Sequence, residues 1–159
     1  EVLSGRINDQ FTPVVGKKLE EAGMEVMGNV LSGDDSERVT EAIRQWLDKG
    51  AEMVVCTGGM SVDPDDRTPL AIRNAADTVI TYGAPVLPGA MFMLAYAGEV
   101  PVVGLPGCVM YARRTIFDLV LPRIAAGERL TAEDFTLLGE GGLCLNCDVC
   151  TFPNCGFGK

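Results

Sequence analysis

The sequence has no histidine at all. That excludes a Ser–His–Asp triad, a histidine-dependent zinc site and an imidazole base within the chain. Chemistry here has to use carboxylates, backbone amides, cysteines, basic side chains or a bound metal. Basic residues are also scarce: 13 Lys and Arg stand against 22 Asp and Glu, a formal net charge of −9. An acidic surface disfavours nucleic acid as the main partner and an anionic membrane as a docking surface. No stretch approaches the ~20 apolar residues of a membrane-spanning helix, and no signal peptide is read at the start. There is no internal repeat, no low-complexity segment, no P-loop and no dinucleotide fingerprint.

What is present fits one domain with an appendage. The chain has 159 residues, 47% of them hydrophobic, enough to bury a core without disulfides. Its six cysteines are unevenly spread: Cys56 and Cys108 lie within the main pattern, whereas Cys144, Cys147, Cys150 and Cys155 crowd the last sixteen residues. A secreted disulfide framework distributes its bridges along the chain. This spacing instead suggests a cytoplasmic protein carrying a metal clip at its end.

Strand-like and helix-like segments alternate. Val2 and Leu3 read as the end of a strand in a chain that starts abruptly without methionine, as expected of a piece of a longer protein. Asn8 or Asp9 caps a helix carrying Phe11, Val15 and Leu19 on one face, and Gly23 stops it. Met24–Leu31 alternates like a strand. Asp34, Asp35 and Ser36 offer a second cap, before Val39, Ile43, Trp46 and Leu47 at helical spacing and a stop at Gly50. Met53–Cys56 is a short apolar run suited to a strand buried on both faces. Thr68 is an N-cap candidate ahead of Pro69. Thr78–Thr81 and Val100–Gly104 read as strands. A long helix is expected from Val109 to about Ala126, divided or kinked by Pro122, and a short capped one over Thr131–Leu138.

This order predicts an α/β fold: three layers, α/β/α, around a mostly parallel sheet, with a cysteine-rich C-terminal tail. Residues 1–138 form the domain and 139–159 the tail. Ligands of such sheets sit beyond the carboxyl ends of the strands. Two glycine-bearing turns fall there: Thr57-Gly58-Gly59 and Leu105-Pro106-Gly107-Cys108. Adjacent glycines let the backbone approach a ligand and turn its amides outward. Thr57 and Ser61 add hydroxyls, and Asp63, Asp65 and Asp66 supply hard oxygens suited to Mg²⁺ beside a phosphate. The same residues also make ordinary surface turns, and Asp66 or Thr68 can simply cap a helix. Gly107 likewise serves either a phosphate-facing turn or a plain strand-to-helix turn.

Gly58-Gly59, the seven-residue gap to Asp66, and Asp66-Arg67-Thr68-Pro69 resemble the signature of molybdopterin adenylyltransferases. Gly59-Met60-Ser61-Val62 is similar to a stretch of molybdopterin molybdenumtransferases and the matching gephyrin domain, and Leu105-Pro106-Gly107 falls where both families place that turn. The resemblance covers roughly residues 1–127 and implies a molybdopterin-binding domain of molybdenum cofactor biosynthesis. By resemblance, Asp66 is the functional aspartate, positioning Mg²⁺ or activating the attacking phosphate, in adenylyl transfer from ATP or in molybdenum insertion. Thr57, Gly58, Gly59, Ser61, Asp63 and Thr68 form one binding wall, and Pro106, Gly107 and Cys108 the other. It also implies a homo-oligomer, dimer or trimer. Two departures stand out: Cys108-Val109 replaces Asn-Pro or Ser-Pro, and Ala90 follows Pro88-Gly89 where molybdenumtransferases carry Lys. Arg67, Arg73, Arg113 or Arg114 could supply the missing cation. Cys108, at a helix start, is either a thiol of lowered pKa or a small buried side chain. The departures leave open a non-catalytic binder, carrier or sensor of the cofactor.

The tail, Cys144-x-x-Cys147-x-x-Cys150-x-x-x-x-Cys155, lies outside that resemblance. Its spacing is closer to an iron–sulfur loop than to a zinc ribbon, though four thiolates satisfy zinc and disulfides are a third possibility.

Overall fold

Asp9 caps the first helix, as its position ahead of an apolar-periodic segment predicts: its Oδ1 accepts from the amides of Phe11 at 2.9 Å and Thr12 at 3.2 Å. The structure, a computed structural model, describes residues 9–33 and 35–159. The expectations placed on Val2, Leu3, Asn8 and Asp34 lie outside the described residues. Helix α1 spans Phe11–Glu21, and Gly23 follows it with φ +78°. Asp35 caps α2 (Ser36–Asp48) through the amides of Glu37 and Arg38, and Gly50, at φ +85°, ends that turn. Then come β1 (Val54–Thr57), α3 (Thr68–Ala75), β2 (Thr78–Tyr82), β3 (Met93–Ala97), β4 (Val100–Leu105), a 3₁₀ turn at Gly107–Met110, α4 (Ile116–Ala125) and α5 (Ala132–Leu137).

The sheet has the order β1-β4-β3-β2. It is mixed, which corrects the expectation of a mostly parallel one: β1 and β4 run parallel, while β4–β3 and β3–β2 are antiparallel. The cause is local. β3 and β4 pair Ala97 with Val100 across a link of only Gly98 and Glu99, and two residues can join only antiparallel strands. Gly98 takes φ +57° there, and its amide donates to Asp77 Oδ2 at 2.7 Å.

Alternate residues of β3 and β4 face opposite sides, and each side has its own core. Leu94, Tyr96, Val103 and Leu105 join Val15, Phe117, Val120, Leu121 and Phe135 on the face of α1, α4 and α5. Met93, Ala95 and Val102 join Ile43, Ala71 and Ile72 on the face of α2 and α3. Helices on both faces of one sheet give the three layers expected. Four consecutive core positions in β3 explain why its signal is weak in sequence: burial on both faces removes the alternation that marks a strand.

Two further expectations are corrected. Met24–Leu31 forms no strand; Val26, Met27, Val30 and Leu31 are exposed. Among the described residues it has no backbone ladder partner, and alternation without a ladder does not make a strand. At Gly28 the chain passes close over the Trp46 ring, where an added Cβ would lie 2.9 Å from the indole. The long helix from Val109 is divided, but not by Pro122, which α4 contains. The division comes at Tyr111–Thr115, where Thr115 starts α4 with a reciprocal capping box to Asp118. A matching box between Thr131 and Asp134 starts α5.

Residues 139–159 lie against the domain. Phe157 is buried in the α4-side core, with Cys144, Phe152 and Cys155 packed around it. The backbone joins as well: Leu87 donates to the Gly142 carbonyl at 2.6 Å and Cys144 to the Leu87 carbonyl at 2.8 Å. Among the described residues, no helix is long and apolar enough to cross a membrane.

Candidate functional site

Parallel pairing of β1 and β4 sets Thr57 opposite Leu105. Both strands therefore release their following turns side by side, at the same carboxyl edge of the sheet. The sequence predicted two glycine-bearing turns at strand ends; the register makes them neighbours.

The first turn, Thr57–Arg67, is locked by its own residues. Gly58 and Gly59 have φ +79° and +58°, left-handed backbone that side chains rarely adopt. A Cβ on Gly59 would sit 2.8 Å from Thr68 Oγ1. Thr68 is buried and its hydroxyl donates to the Gly58 carbonyl at 2.8 Å. It is the first residue of α3 rather than the helix cap expected; the hydroxyl is drawn back to the glycine pair instead. Pro69 follows in the first helical turn, as expected. Met60, 2% exposed, drops from the loop into the α3-side core and lies against Gly104 of β4. A Cβ at Gly104 would fall 2.5 Å from the Met60 Cε, so any larger residue in that strand would make the methionine tip move aside.

Beyond Met60 the loop is exposed and acidic. The Asp66 Oδ2 accepts both the amide and the hydroxyl of Ser61, each at 2.6 Å. The Asp63 amide reaches Ser61 Oγ at 3.2 Å, the Asp65 amide donates to Asp63 Oδ1 at 2.9 Å, and the Asp66 amide to the Asp63 carbonyl at 3.0 Å. Asp66 is thus a staple that closes the loop. Among the described residues its second oxygen, Oδ1, accepts no hydrogen bond. Asp66 and Ser61 meet directly, and Thr68 meets Gly58. Pro106, Gly107 and Cys108 lie across the strand gap on the other turn.

The second turn closes locally, the Val109 amide donating to the Pro106 carbonyl at 3.1 Å and the Ala112 amide to the Cys108 carbonyl at 2.9 Å, and the segment after it, 113–118, is held from outside. Asp118, 7% exposed, accepts from Lys18 at 2.5 Å and Arg114 at 2.9 Å, and from the Thr115 amide at 2.8 Å. Lys18 belongs to α1, so this ion cluster ties α1 to the start of α4. Arg113 donates to the carbonyls of Cys147 at 3.2 Å and Asp148 at 3.1 Å. Arg114 also lies with its guanidinium 4.7 Å from the Phe152 ring centroid. Two of the four arginines considered as substitutes for a missing cation, Arg113 and Arg114, are therefore committed to structural partners, and Arg73 rests near the Tyr82 ring. Arg67 is exposed beside Asp66.

Burial raises the Cys108 thiol above its ordinary value, and its own amide opposes that only in part. Its half-burial and the raised thiol favour the reading of Cys108 as a small packed side chain over a thiol of lowered pKa. Cys56, at the end of β1, is pushed up to about 12 by burial. Its residue surface is partly accessible while its sulfur is enclosed, and the sulfur governs the titration. In the C-terminal stretch, the Phe152 amide lowers the Cys150 thiol; burial opposes it, and the Arg114 and Arg113 guanidiniums add to the lowering. All six thiols are free. Among the described residues, no three Cys, Asp or Glu side chains are arranged to hold a metal ion, so neither the tail cysteines nor the loop aspartates form a closed metal cage by themselves.

Two hollows indent the surface elsewhere. One, of about 840 Å³, is lined by Val30, Leu31, Arg38 and Thr40; another, of about 510 Å³, by Ala84, Leu87, Gly142 and Leu143. Neither is lined by residues of the paired turns. Geometry and chemistry point to different places here. The larger hollow is polar, with Glu37, Glu41, Gln45 and Asn74 also on its wall, but it holds none of the motif residues that the β1–β4 register brings together, so the turns remain the candidate site. Met60, Gly104 and Lys18 were missed as determinants of this site. The only sequence signal among them was Gly104, a glycine inside a strand pattern.

Comparison with known proteins agrees with the motif resemblance. A family described as "Probable molybdopterin binding domain" matches residues 1–126. A CinA-like protein of Desulfotalea psychrophila is 34% identical over 88 residues, which is 55% of this chain and 20% of that protein. The chain thus matches about a fifth of the length of this curated relative. Among solved structures, the molybdopterin biosynthesis enzyme MoaB of Thermus thermophilus superposes with a TM-score of 0.67 at 23% identity, covering 80% of this chain and 91% of that one. The molybdopterin biosynthesis Mog protein of Mycobacterium ulcerans gives 0.62 at 21%, covering 79% and 90%. These structural likenesses establish the fold. With the family match spanning residues 1–126, they place the chain in the molybdopterin-binding domain family.

Proposed function

We propose that this chain binds molybdopterin at the paired turns after β1 and β4 and acts in molybdenum cofactor biosynthesis. The supporting observation is the Thr57–Leu105 register, which puts the glycine-pair loop and the Leu-Pro-Gly turn along one edge. On this reading the pterin's terminal phosphate lies against the backbone of Gly58, Gly59 and Ser61, with Gly107 shaping the opposite wall.

The carboxylates present fit Mg²⁺. That ion is ordinarily held by one or two carboxylates plus substrate phosphates and waters, not by an all-protein cage. Asp66 Oδ1 and Asp63 are the groups that would hold it, and its chemistry would be to neutralise charge on the phosphates of the pterin or of ATP. The chain's own part is positional. The Asp66–Ser61 staple fixes the carboxylate, Thr68 fixes the glycine pair, and Met60 fixes the loop's height above the sheet. Adenylyl transfer and molybdenum insertion are both compatible with that machinery. The reading includes a cytoplasmic homo-oligomer.

A second reading, a non-catalytic binder or carrier, draws on the engaged arginines and the neutral Cys108. Transfer between phosphates benefits from a free cation, and Arg113 and Arg114 are occupied. One experiment tests both. Asp66→Asn keeps an oxygen acceptor for Ser61 and removes the charge. We expect unchanged unfolding, and loss of any Mg-dependent adenylyl or molybdenum transfer assayed with purified molybdopterin. Binding of molybdopterin by the unaltered chain without turnover would select the carrier reading; absence of binding would reject both.

A further inference from the structure

The four thiols of the C-terminal stretch are not equivalent. Cys144 and Cys155 are half-buried and pack against the α4-side core. Cys147 and Cys150 are exposed. The chain bends at Asp148 and Val149, between those two. Arg113 fixes the bend to the body of the domain through the carbonyls of Cys147 and Asp148. On the far side of Cys150, Phe152 is held under the Arg114 guanidinium. The pair therefore sits on a short arc pinned at both ends, pointing to solvent. The two cysteines stand at the ends of four residues, the length of a β-turn, whose end Cα atoms lie within about 7 Å; disulfides need about 4.4–6.8 Å.

We propose that Cys147 and Cys150 are a reversible dithiol–disulfide pair that exchanges with small-molecule disulfides. In the forward direction one of the two thiols loses its proton to solvent and its sulfur attacks the small disulfide. The S–S bond of that molecule breaks, a mixed disulfide forms, and one small thiolate leaves. The second cysteine, also deprotonated, attacks the mixed disulfide at the protein sulfur, forming the Cys147–Cys150 bond and releasing the other small thiolate. The protein gives up two protons and two electrons, and the small disulfide becomes two thiols. Cys144 and Cys155 are left out because they are half-buried and packed against the core. The pair lies outside residues 1–126, so this inference stands or falls apart from the ligand reading.

The test uses the full chain, purified anaerobically under reductant and then exposed to oxidised glutathione. Alkylation and peptide mapping should show loss of two thiols, with Cys147 linked to Cys150 and with Cys144 and Cys155 still free. Reductant should restore all four. In Cys147→Ser, at an exposed position, oxidation should stop at one glutathione adduct on Cys150. Three results would overturn the proposal: stoichiometric zinc or an iron–sulfur chromophore that shields all four cysteines in the anaerobic protein; a linkage through Cys144 or Cys155; or adducts with no internal bond in the unaltered chain.

Discussion

The two turns of the candidate site share a sheet edge but are stabilised differently. The loop after β1 closes on itself: Ser61 with Asp66, Gly58 with Thr68, Asp63 with Asp65, all within eleven residues of one another. The segment that leads from the turn after β4 into α4 adds remote anchors to its local backbone bonds: Lys18, a hundred residues from Asp118 in sequence, and the carbonyls of Cys147 and Asp148 that receive Arg113. Local locking makes a geometry legible from a motif and independent of its surroundings. Remote locking makes the segment responsive to whatever moves α1 or the C-terminal stretch.

The largest effect that would sharpen this contrast is expected at Asp118. Asp118→Ala strips three partners from a buried carboxylate and leaves Lys18, whose side chain is 12% exposed, without its counter-charge. Breaking such a pair costs about 3–5 kcal/mol. Urea unfolding should show that loss. Hydrogen exchange should rise at 106–118 and stay unchanged at 58–66. Equal loosening of both segments would show that the two turns are one unit and dissolve the distinction.

A smaller effect is expected at Gly59. Gly59→Ala forces a left-handed residue and a clash with Thr68 Oγ1, costing about 1–2 kcal/mol. Here exchange should rise in the β1–α3 loop alone. A neutral substitution would mean that the glycine pair is not under the conformational demand its φ values indicate.

The smallest is expected at Arg113. Arg113→Gln removes exposed bonds to two carbonyls, worth about 1 kcal/mol or less in all. Stability should barely move, but limited proteolysis should cut faster within 144–155. Resistance equal to that of the unaltered chain would show that packing of Phe157 and Phe152, not the arginine, holds the stretch down.

This difference in locking also explains what could be read from the sequence. Asp9, Asp35 and Thr131 were recognisable as caps because a cap's partners lie two or three residues away. The glycine-pair loop was readable for the same reason, and so were β1, β2 and β4. β3 was not, because burial on both faces erased its period. The mixed sheet followed from that omission, since the hairpin at Gly98-Glu99 shows only once β3 is known. Met24–Leu31 misled in the other direction: a period of two states a preference, and a ladder needs a partner. Pro122 drew attention as a helix breaker, yet the break came where Thr115 and Asp118 could satisfy a new helix start. The docking of the C-terminal stretch had no local signature, since Phe157 and Cys144 meet residues far along the chain.

Met60 and Gly104 carry a consequence of their own. The buried tip of Met60 lies against a β4 position that carries no side chain. Loop and strand are therefore coupled: a methyl group gained at 104 must be met by a shift of the Met60 tip or of Ile72. A change deep in the sheet, touching no ligand, can in this way retune how far the outer acidic rim stands from whatever it receives.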